Sequence, residues 1–352
     1  MSSPKDALSE SPETCGCGPS EEKCLVASMD AMNLDDSESY VVSKNAAVDG
    51  CAEGAKTPFS TVTDAQKAAM NVRAQYIGIH LHLDGQTAEV ALGLTMRAYP
   101  EITDVQIFTH GPQSMKPTKA YNQFAMNAAT AKVRIWTHGS YLCVPWKDDR
   151  LGAHTVQNIL ASKRLGSHCT VAHIPFSPVK DVVSGLSYVV REMRAQKLTD
   201  VKLMLETSAT VQDTTRSYES AEKLNALTAE LVKAGLQDCV RICIDTAHIF
   251  AGRARIATRE EATLWWKTLD TTLLGMIHLN GTSIDPNVAR GDKHEVPMSP
   301  ADLIWGTQDK YASAGCSVFV ENARRLKIPI ILEVGPRHLP AAIRRFITDT
   351  KP

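Results

Sequence analysis

A His, Asp or Glu stands at or just past the end of one short apolar run after another in this chain: His138, His173, Glu206, Asp245, His278 and Glu333. Three more fall in the loops that follow two of these runs, within Asp245-Thr-Ala-His248 and Asp292-Lys-His294. All are metal-ligand types. An apolar segment such as Leu203-Met-Leu-Glu206 or Ile330-Ile-Leu-Glu333 draws its terminal carboxylate toward a core, where an ionised group is costly unless it is paired or bound to a cation. For any one of these residues taken alone, a hydrogen-bonded histidine or a salt-bridged acid is the favoured reading; their recurrence at equivalent places carries the metal reading. Imidazole and carboxylate without thiolate suit Zn²⁺, Mn²⁺ or Fe²⁺ better than Mg²⁺ or Ca²⁺. The ligands exceed what one ion needs, and with bridging carboxylates they could hold two or three. Clustered ions of that kind activate a water and stabilise both the attacking and the leaving oxygen in phosphodiester cleavage. His80, His82 and His110 hold comparable positions and could orient ligands from behind.

The elements that must bring these residues together are legible from about residue 76 onward. Strand-like runs are predicted over 76–82, 105–109, 133–137, 169–173, 202–206, 240–245, 274–278 and 329–333, with amphipathic helical patterns between them, for example over 181–196, 217–234 and 260–269. Alternating strands and helices imply parallel pairing through crossovers, and eight such units close into an α/β (β/α)8 TIM barrel whose strand ends share one face. An open doubly wound sheet is the alternative architecture. The first seventy or so residues, rich in Ser, Ala, Asp, Glu and Gly, show no sustained period and are expected to form a disordered extension. The division is therefore 1–73 tail and 74–352 barrel. Cys15, Cys17, Cys24 and Cys51 in that tail match no common zinc spacing.

Through Arg73 there are six basic against twelve acidic side chains, so a whole-chain charge of −1 leaves the remainder at +5. That balance permits local contact with a phosphate backbone without demanding it. No apolar run is long enough to cross a bilayer, and the acidic N-terminus resembles neither a secretory signal nor a transit peptide. Nine cysteines, several within apolar runs, fit buried thiols better than a disulfide framework. An intracellular protein is expected, cytoplasmic or nuclear, or carried in a virion if the chain is viral, and not secreted.

The segments His138-Gly-Ser-Tyr141-Leu142, Val171-Ala-His173, Leu205-Glu206-Thr, Cys243-Ile-Asp245-Thr-Ala-His248, Gly275-Met-Ile-His278-Leu-Asn280, Asp292-Lys-His294 and Ile331-Leu-Glu333 resemble, in order and spacing, the endonuclease IV family of apurinic/apyrimidinic (AP) endonucleases. The resemblance spans roughly residues 76–347. It implies a three-zinc centre, with Mn²⁺ or Fe²⁺ in some positions. His138, His173 and Glu206 would hold one ion; Glu206, Asp245, His278 and Glu333 a second; His248, Asp292 and His294 the third. It further implies a monomer acting on double-stranded DNA with abasic sites, cutting the phosphodiester on the 5′ side and clearing blocked 3′ ends. Glu206 would orient the nucleophile, and Tyr141 and Leu142 would enter the stack when the abasic nucleotide flips out. The chain departs from the family pattern at Ile174-Pro175-Phe176, Thr207, Gly281, Glu295-Val-Pro-Met298 and Gln113. These positions lie around the ligands rather than among them.

Two other readings compete. A single-metal sugar isomerase or epimerase of the xylose-isomerase-like barrels would need only Glu206, Asp245, His278 and Glu333, leaving five ligand types and the Tyr-Leu pair without a role. A catalytically inactive damaged-DNA binding protein would have no need of the full ligand set. Trp265-Trp266, on a predicted helix away from the strand ends, reads as packing, whereas Arg253, Arg255 and Arg290 sit in loops that could touch phosphates.

Overall fold

The computed structural model describes residues 77–83, 87–99, 102–116, 122–209, 218–287 and 292–334. The predicted tail over 1–73, its four cysteines and Arg290 lie outside the described residues.

Among the described residues ten strands follow in chain order: β1 (Ile77–His80), β2 (Asp104–Phe108), β3 (Arg134–His138), β4 (Cys169–His173), β5 (Lys202–Glu206), β6 (Val240–Asp245), β7 (Leu274–His278), β8 (Gly281–Thr282), β9 (His294–Glu295) and β10 (Ile330–Leu332). Eight of them form a closed barrel in the order β1-β10-β7-β6-β5-β4-β3-β2. All of these pairings are parallel, and β1 bonds β2 on one side and β10 on the other, which closes the ring and excludes the open sheet. Four of the eight predicted strands recur with the same bounds, as β4, β5, β6 and β7, and the other four with ends moved by one or two residues.

Around the barrel run α1 (Ala88–Ala98), α2 (Asn122–Thr130), α3 (Asp149–Arg164), α4 (Val179–Ala195), α5 (Ala221–Lys233), α6 (Thr246–Ala251), α7 (Arg259–Thr268) and α8 (Gly315–Leu326). Local chemistry sets their ends. Thr87, Asp148 and Ser220 accept backbone N–H groups at the starts of α1, α3 and α5, and Thr258 and Glu261 cap α7 reciprocally. Gly166 and Gly235, at φ +72° and +68°, make the left-handed turns that stop α3 and α5.

Apolar side chains fill two regions. Trp136, Cys169, Val171, Met204, Cys243, Met276 and Ile331, drawn from six strands, form the cluster enclosed by the barrel. A larger cluster joins the outer strand faces to the helices, and within it Trp265 and Trp266 lie against Phe319 of α8, as packing residues do. Beneath the inner cluster the fully buried Asp104 accepts from Trp136 Nε1 at 2.5 Å and pairs with Arg134 at 2.8 Å. The opposite end, where the strands terminate, carries a different set of side chains.

Candidate metal centre

Parallel register decides which strand-end residues become neighbours. His173 stands opposite Glu206, and Asp245 opposite His278. β10 brings Glu333, one residue past its end, alongside His278, with 3.1 Å between Glu333 Oε2 and His278 Nδ1. The short β8–β9 hairpin, which the apolar patterning gives no hint of, folds His294 back over the end of β7. Helix α6 follows directly on β6, and Asp245 caps it by accepting the His248 N–H at 2.9 Å. The spacing Asp-Thr-Ala-His thus turns His248 toward the same mouth.

The outcome is three groups whose donor atoms lie within 4.8 Å of one another: His138, His173 and Glu206; Glu206, Asp245, His278 and Glu333; and Asp245, His248 and His294. The first two coincide with the sets that the family resemblance implies. In the third, geometry puts Asp245 where the resemblance puts Asp292. Asp292 nonetheless reaches both imidazoles, with 3.0 Å to His248 Nε2 and 2.9 Å to His294 Nε2. It is therefore nearer to them than Asp245, whose closest approach to His294 Nε2 is 3.7 Å.

Four of the five imidazoles are held by the ring nitrogen that faces away from the groups. His138 Nδ1 meets the Gly139 carbonyl at 2.6 Å, His248 Nδ1 the Thr207 carbonyl at 2.6 Å, and His294 Nδ1 the Glu333 carbonyl at 3.3 Å. His278 Nε2 meets the side-chain oxygen of Gln106 at 3.0 Å. An imidazole that donates its far N–H to a carbonyl presents a lone pair at the other nitrogen, the arrangement a ligand histidine needs.

Electrostatics point the same way. Burial pushes the Glu206 carboxyl up, but His278, His173 and His138 outweigh it and hold the group well below the usual carboxylate range. Glu333 and Asp292 are likewise held low against burial, by His278 for the first and by His248 and His294 for the second. Burial would lower the histidines; instead Asp245 and Asp292 raise His248, while the thiol of Cys243 with Glu333 and Glu206 raises His278. His294 is raised to about 10 by Asp292 and Asp245 against burial. Asp245 itself is raised, chiefly by burial. Three buried atoms, His248 Nε2, Asp292 Oδ1 and His294 Nε2, make no hydrogen bond despite their short separations. Unsatisfied buried polar atoms cost roughly 1–3 kcal/mol each, and a cation among these three would satisfy them. The donor set therefore fits metal ions.

Tyr141 borders the first group, its ring centroid 5.3 Å from that of His173 and 5.7 Å from that of His138. Burial, then the nearby carboxylates, keeps its phenol protonated. Tyr141 and Leu142 are both half-buried, and their turn is fixed by Tyr141 N donating to the Pro112 carbonyl and Leu142 N to Ser140 Oγ. His80 does lie behind a ligand, with Nδ1 3.2 Å from Glu333, and burial lowers its pKa to about 4. His82 is exposed, its ring 5.9 Å from that of His80. His110 is buried against His154 and bonds Thr109, without contact to the three groups. Arg255 pairs with Glu261 at the surface.

Three contributors escape a reading of strand ends. Thr207 Oγ1 accepts from the Asp245 backbone, and Asn280 Nδ2 donates to Asp245 at 2.6 Å while its oxygen accepts the Glu333 N–H. Gln106, fully buried in the middle of β2, donates to Glu333 Oε1 at 2.6 Å. The signal for Gln106 was present as a second polar residue beside Asp104 in an otherwise buried strand. Gly281, one of the departures from the family pattern, has a local reason: a Cβ there would stand 2.5 Å from the Asp302 carboxyl carbon. That carboxylate accepts from the backbone of Thr282, Met298 and Ile304.

No family model matches the chain. Among curated proteins it is 25% identical over 240 residues to a probable AP endonuclease of African swine fever virus (isolate Pig/Kenya/KEN-50/1950), covering 65% of this chain and 77% of the relative. It is 27% identical over 248 residues to a probable endonuclease 4 of Natronomonas pharaonis, covering 65% and 81%. The crystal structure of endonuclease IV from Thermus thermophilus superposes with a TM-score of 0.59 at 19% identity, over 77% of this chain and 97% of that one, a likeness of fold. Named relatives that cover most of their own length, together with the series of metal-ligand types at the barrel mouth, support an endonuclease IV-like family for the chain.

Proposed function

We propose that this protein is a DNA-repair AP endonuclease that hydrolyses the phosphodiester on the 5′ side of abasic sites in double-stranded DNA with three metal ions, and that it also trims blocked 3′ ends. The observation that carries the reading is the convergence of three donor groups at one barrel mouth, with the far nitrogens of four imidazoles already bonded. Zn²⁺ suits the donors best, with Mn²⁺ or Fe²⁺ as alternatives in some positions. His138, His173 and Glu206 would hold one ion, Glu206 with Asp245, His278 and Glu333 a second, and His248, Asp292 and His294 the third. Bound there, such ions lower the pKa of a water and neutralise charge on the phosphate oxygens.

The protein's own part is to position and to hold charge. Glu206 offers one oxygen to each of the first two groups, Oε2 toward His138 and His173 and Oε1 toward His278. Held ionised, it can accept a hydrogen bond from the attacking water and fix its line of approach. Attack on phosphorus breaks the bond to the 3′ oxygen of the preceding nucleotide, which leaves with a proton as a 3′-hydroxyl. Tyr141 and Leu142, held at the rim by the Ser140 and Pro112 contacts, would fill the gap left by the flipped nucleotide and offset a few kcal/mol of lost stacking.

The test is incision of a duplex carrying one abasic-site analogue by the purified, metal-counted protein, with and without a chelator. Cuts on the 5′ side, about three metals per chain and loss of cutting on stripping are the expected results. One metal per chain and no incision would replace this reading with the sugar isomerase. Three metals with binding of abasic DNA but no incision would replace it with an inactive binder.

A further inference from the structure

Gln106 departs from the other partners of the candidate ligand histidines. His138, His248 and His294 rest their far nitrogens on backbone carbonyls of Gly139, Thr207 and Glu333. His278 rests on a side chain, Gln106 Oε1, at 3.0 Å. The same carboxamide donates through Nε2 to Glu333 Oε1 at 2.6 Å and faces His80 Nδ1 at 3.0 Å. Gln106 is fully buried, as are His278 and, almost completely, His80, so water does not compete for these bonds.

The contacts fix one another in sequence. An amide has an acceptor end and a donor end, and a carboxylate beside it takes only the donor. Glu333 therefore forces the NH₂ toward itself and the oxygen toward His278. That oxygen takes only an N–H, so a proton must sit on His278 Nε2, and the nitrogen left to meet an ion is Nδ1, 2.9 Å from Glu206 Oε1 and 3.1 Å from Glu333 Oε2. On the Glu333 side, Oε1 is committed to Gln106 and His80 while Oε2 stays with the donor group. One neutral residue thus sets the ring orientation and tautomer of one ligand and separates the two oxygens of another.

We propose that Gln106 is a positioning residue for the middle group, a clamp from β2 that makes His278 and Glu333 ready to bind a divalent metal ion without contacting the ion. The proposal deepens the three-ion reading and rests on it. It is also selective, because the Gln106 side-chain hydrogen bonds go to His80, Glu333 and His278 and, among the described residues, none goes to His138, His173, His248 or His294.

The experiment compares the full-length wild type with Gln106→Met, which keeps the length of the side chain and removes both bonding ends. Zn²⁺ is titrated against a chromophoric chelator, metals per chain are counted, and the Co²⁺-substituted proteins are compared by visible absorption. Removal of a partner that orients a ligand typically weakens a metal by roughly 10- to 100-fold. The expected result is a loss of that size for one ion, retention of the others, and a changed Co²⁺ spectrum at unchanged melting temperature. If the Met variant does not fold, Gln106→Asn, which withdraws the same amide by one methylene, gives the same comparison. Unchanged Zn²⁺ affinities and Co²⁺ spectrum in a loaded variant would overturn the clamp and leave the three-ion reading standing. Parallel weakening of every ion with a lowered melting temperature would overturn it as general loosening of the barrel. A wild type that binds no divalent metal would overturn both.

Discussion

Replacing Glu206 by Gln changes one buried oxygen to an NH₂ and removes a charge at almost constant shape. That carboxylate lies 2.9 Å from His278 Nδ1, 3.1 Å from His173 Nε2 and 3.2 Å from His138 Nε2, with His248 Nδ1 at 3.5 Å. An amide has one acceptor end, so it can face the first group or the second with oxygen, never both. At least one group would be left with an NH₂ toward the ion it is proposed to hold. Loss of a partner that merely orients a ligand costs about 10- to 100-fold in affinity, and loss of a bridging ligand should cost more. A fall in incision rate of roughly 10³-fold or greater is expected, about 4 kcal/mol at about 1.4 kcal/mol per decade. Single-turnover incision of an abasic duplex measures the rate, metal counting measures occupancy, and a gel-shift titration measures binding. Binding should survive, because Tyr141, Leu142 and the outer loops are untouched. Wild-type turnover in Glu206→Gln would refute both the bridging geometry and the role given to this carboxylate.

Metal loading should release protons. His248 and His278 are raised well above the usual imidazole value and His294 to about 10, so protons held there at neutral pH must leave before these rings can serve as ligands. Calorimetry of Zn²⁺ binding near pH 7 in buffers of different ionisation enthalpy should report about three protons released, with affinity rising as pH rises toward 10 for the His294 group; no release would contradict the pairing. Tyr141→Ala should weaken abasic DNA by the loss of a stacking ring, about 1–3 kcal/mol or roughly 5- to 150-fold, with metal content unchanged, and equal affinity would remove the residue from the DNA face. Trp305→Ala empties a fully buried site and orphans the Ile256 carbonyl that its indole N–H holds at 2.8 Å. A loss of about 3–5 kcal/mol in denaturant unfolding is expected, and a cost under about 1 kcal/mol would mean the pocket collapses freely.

The barrel and most of the candidate ligands at its mouth were legible because both rest on one regularity. A parallel strand buried on both faces reads as a short apolar run, and the residue that breaks the run at its C-terminal end must stand at the barrel mouth. Glu206 after Lys202-Leu-Met-Leu and His278 after Leu274-Gly-Met-Ile show this directly, since each polar residue closes its strand. Where that regularity lapses, so does the reading. The β8–β9 hairpin has two residues in each strand, too few for any periodicity, yet it is what carries His294 to Asp292 and Asp245. The assignment of Asp245 between two groups likewise depends on side-chain positions that no spacing reports.

Gln106 marks the deeper limit, because it lies within a strand rather than at its end. Mid-strand polar residues in such a barrel have two opposite meanings, and β2 contains both. Asp104 points to the closed end, where Trp136 and Arg134 satisfy it, and it serves stability. Gln106, two residues on and therefore on the same side of the strand, points to the layer directly beneath the candidate ligands. What separates them is height along the barrel axis, a quantity fixed by the stagger between strands and visible only once the ring has closed. Candidate ligands can thus be read from where apolar runs stop, whereas the groups that would aim them are set by which residues of neighbouring strands share a layer.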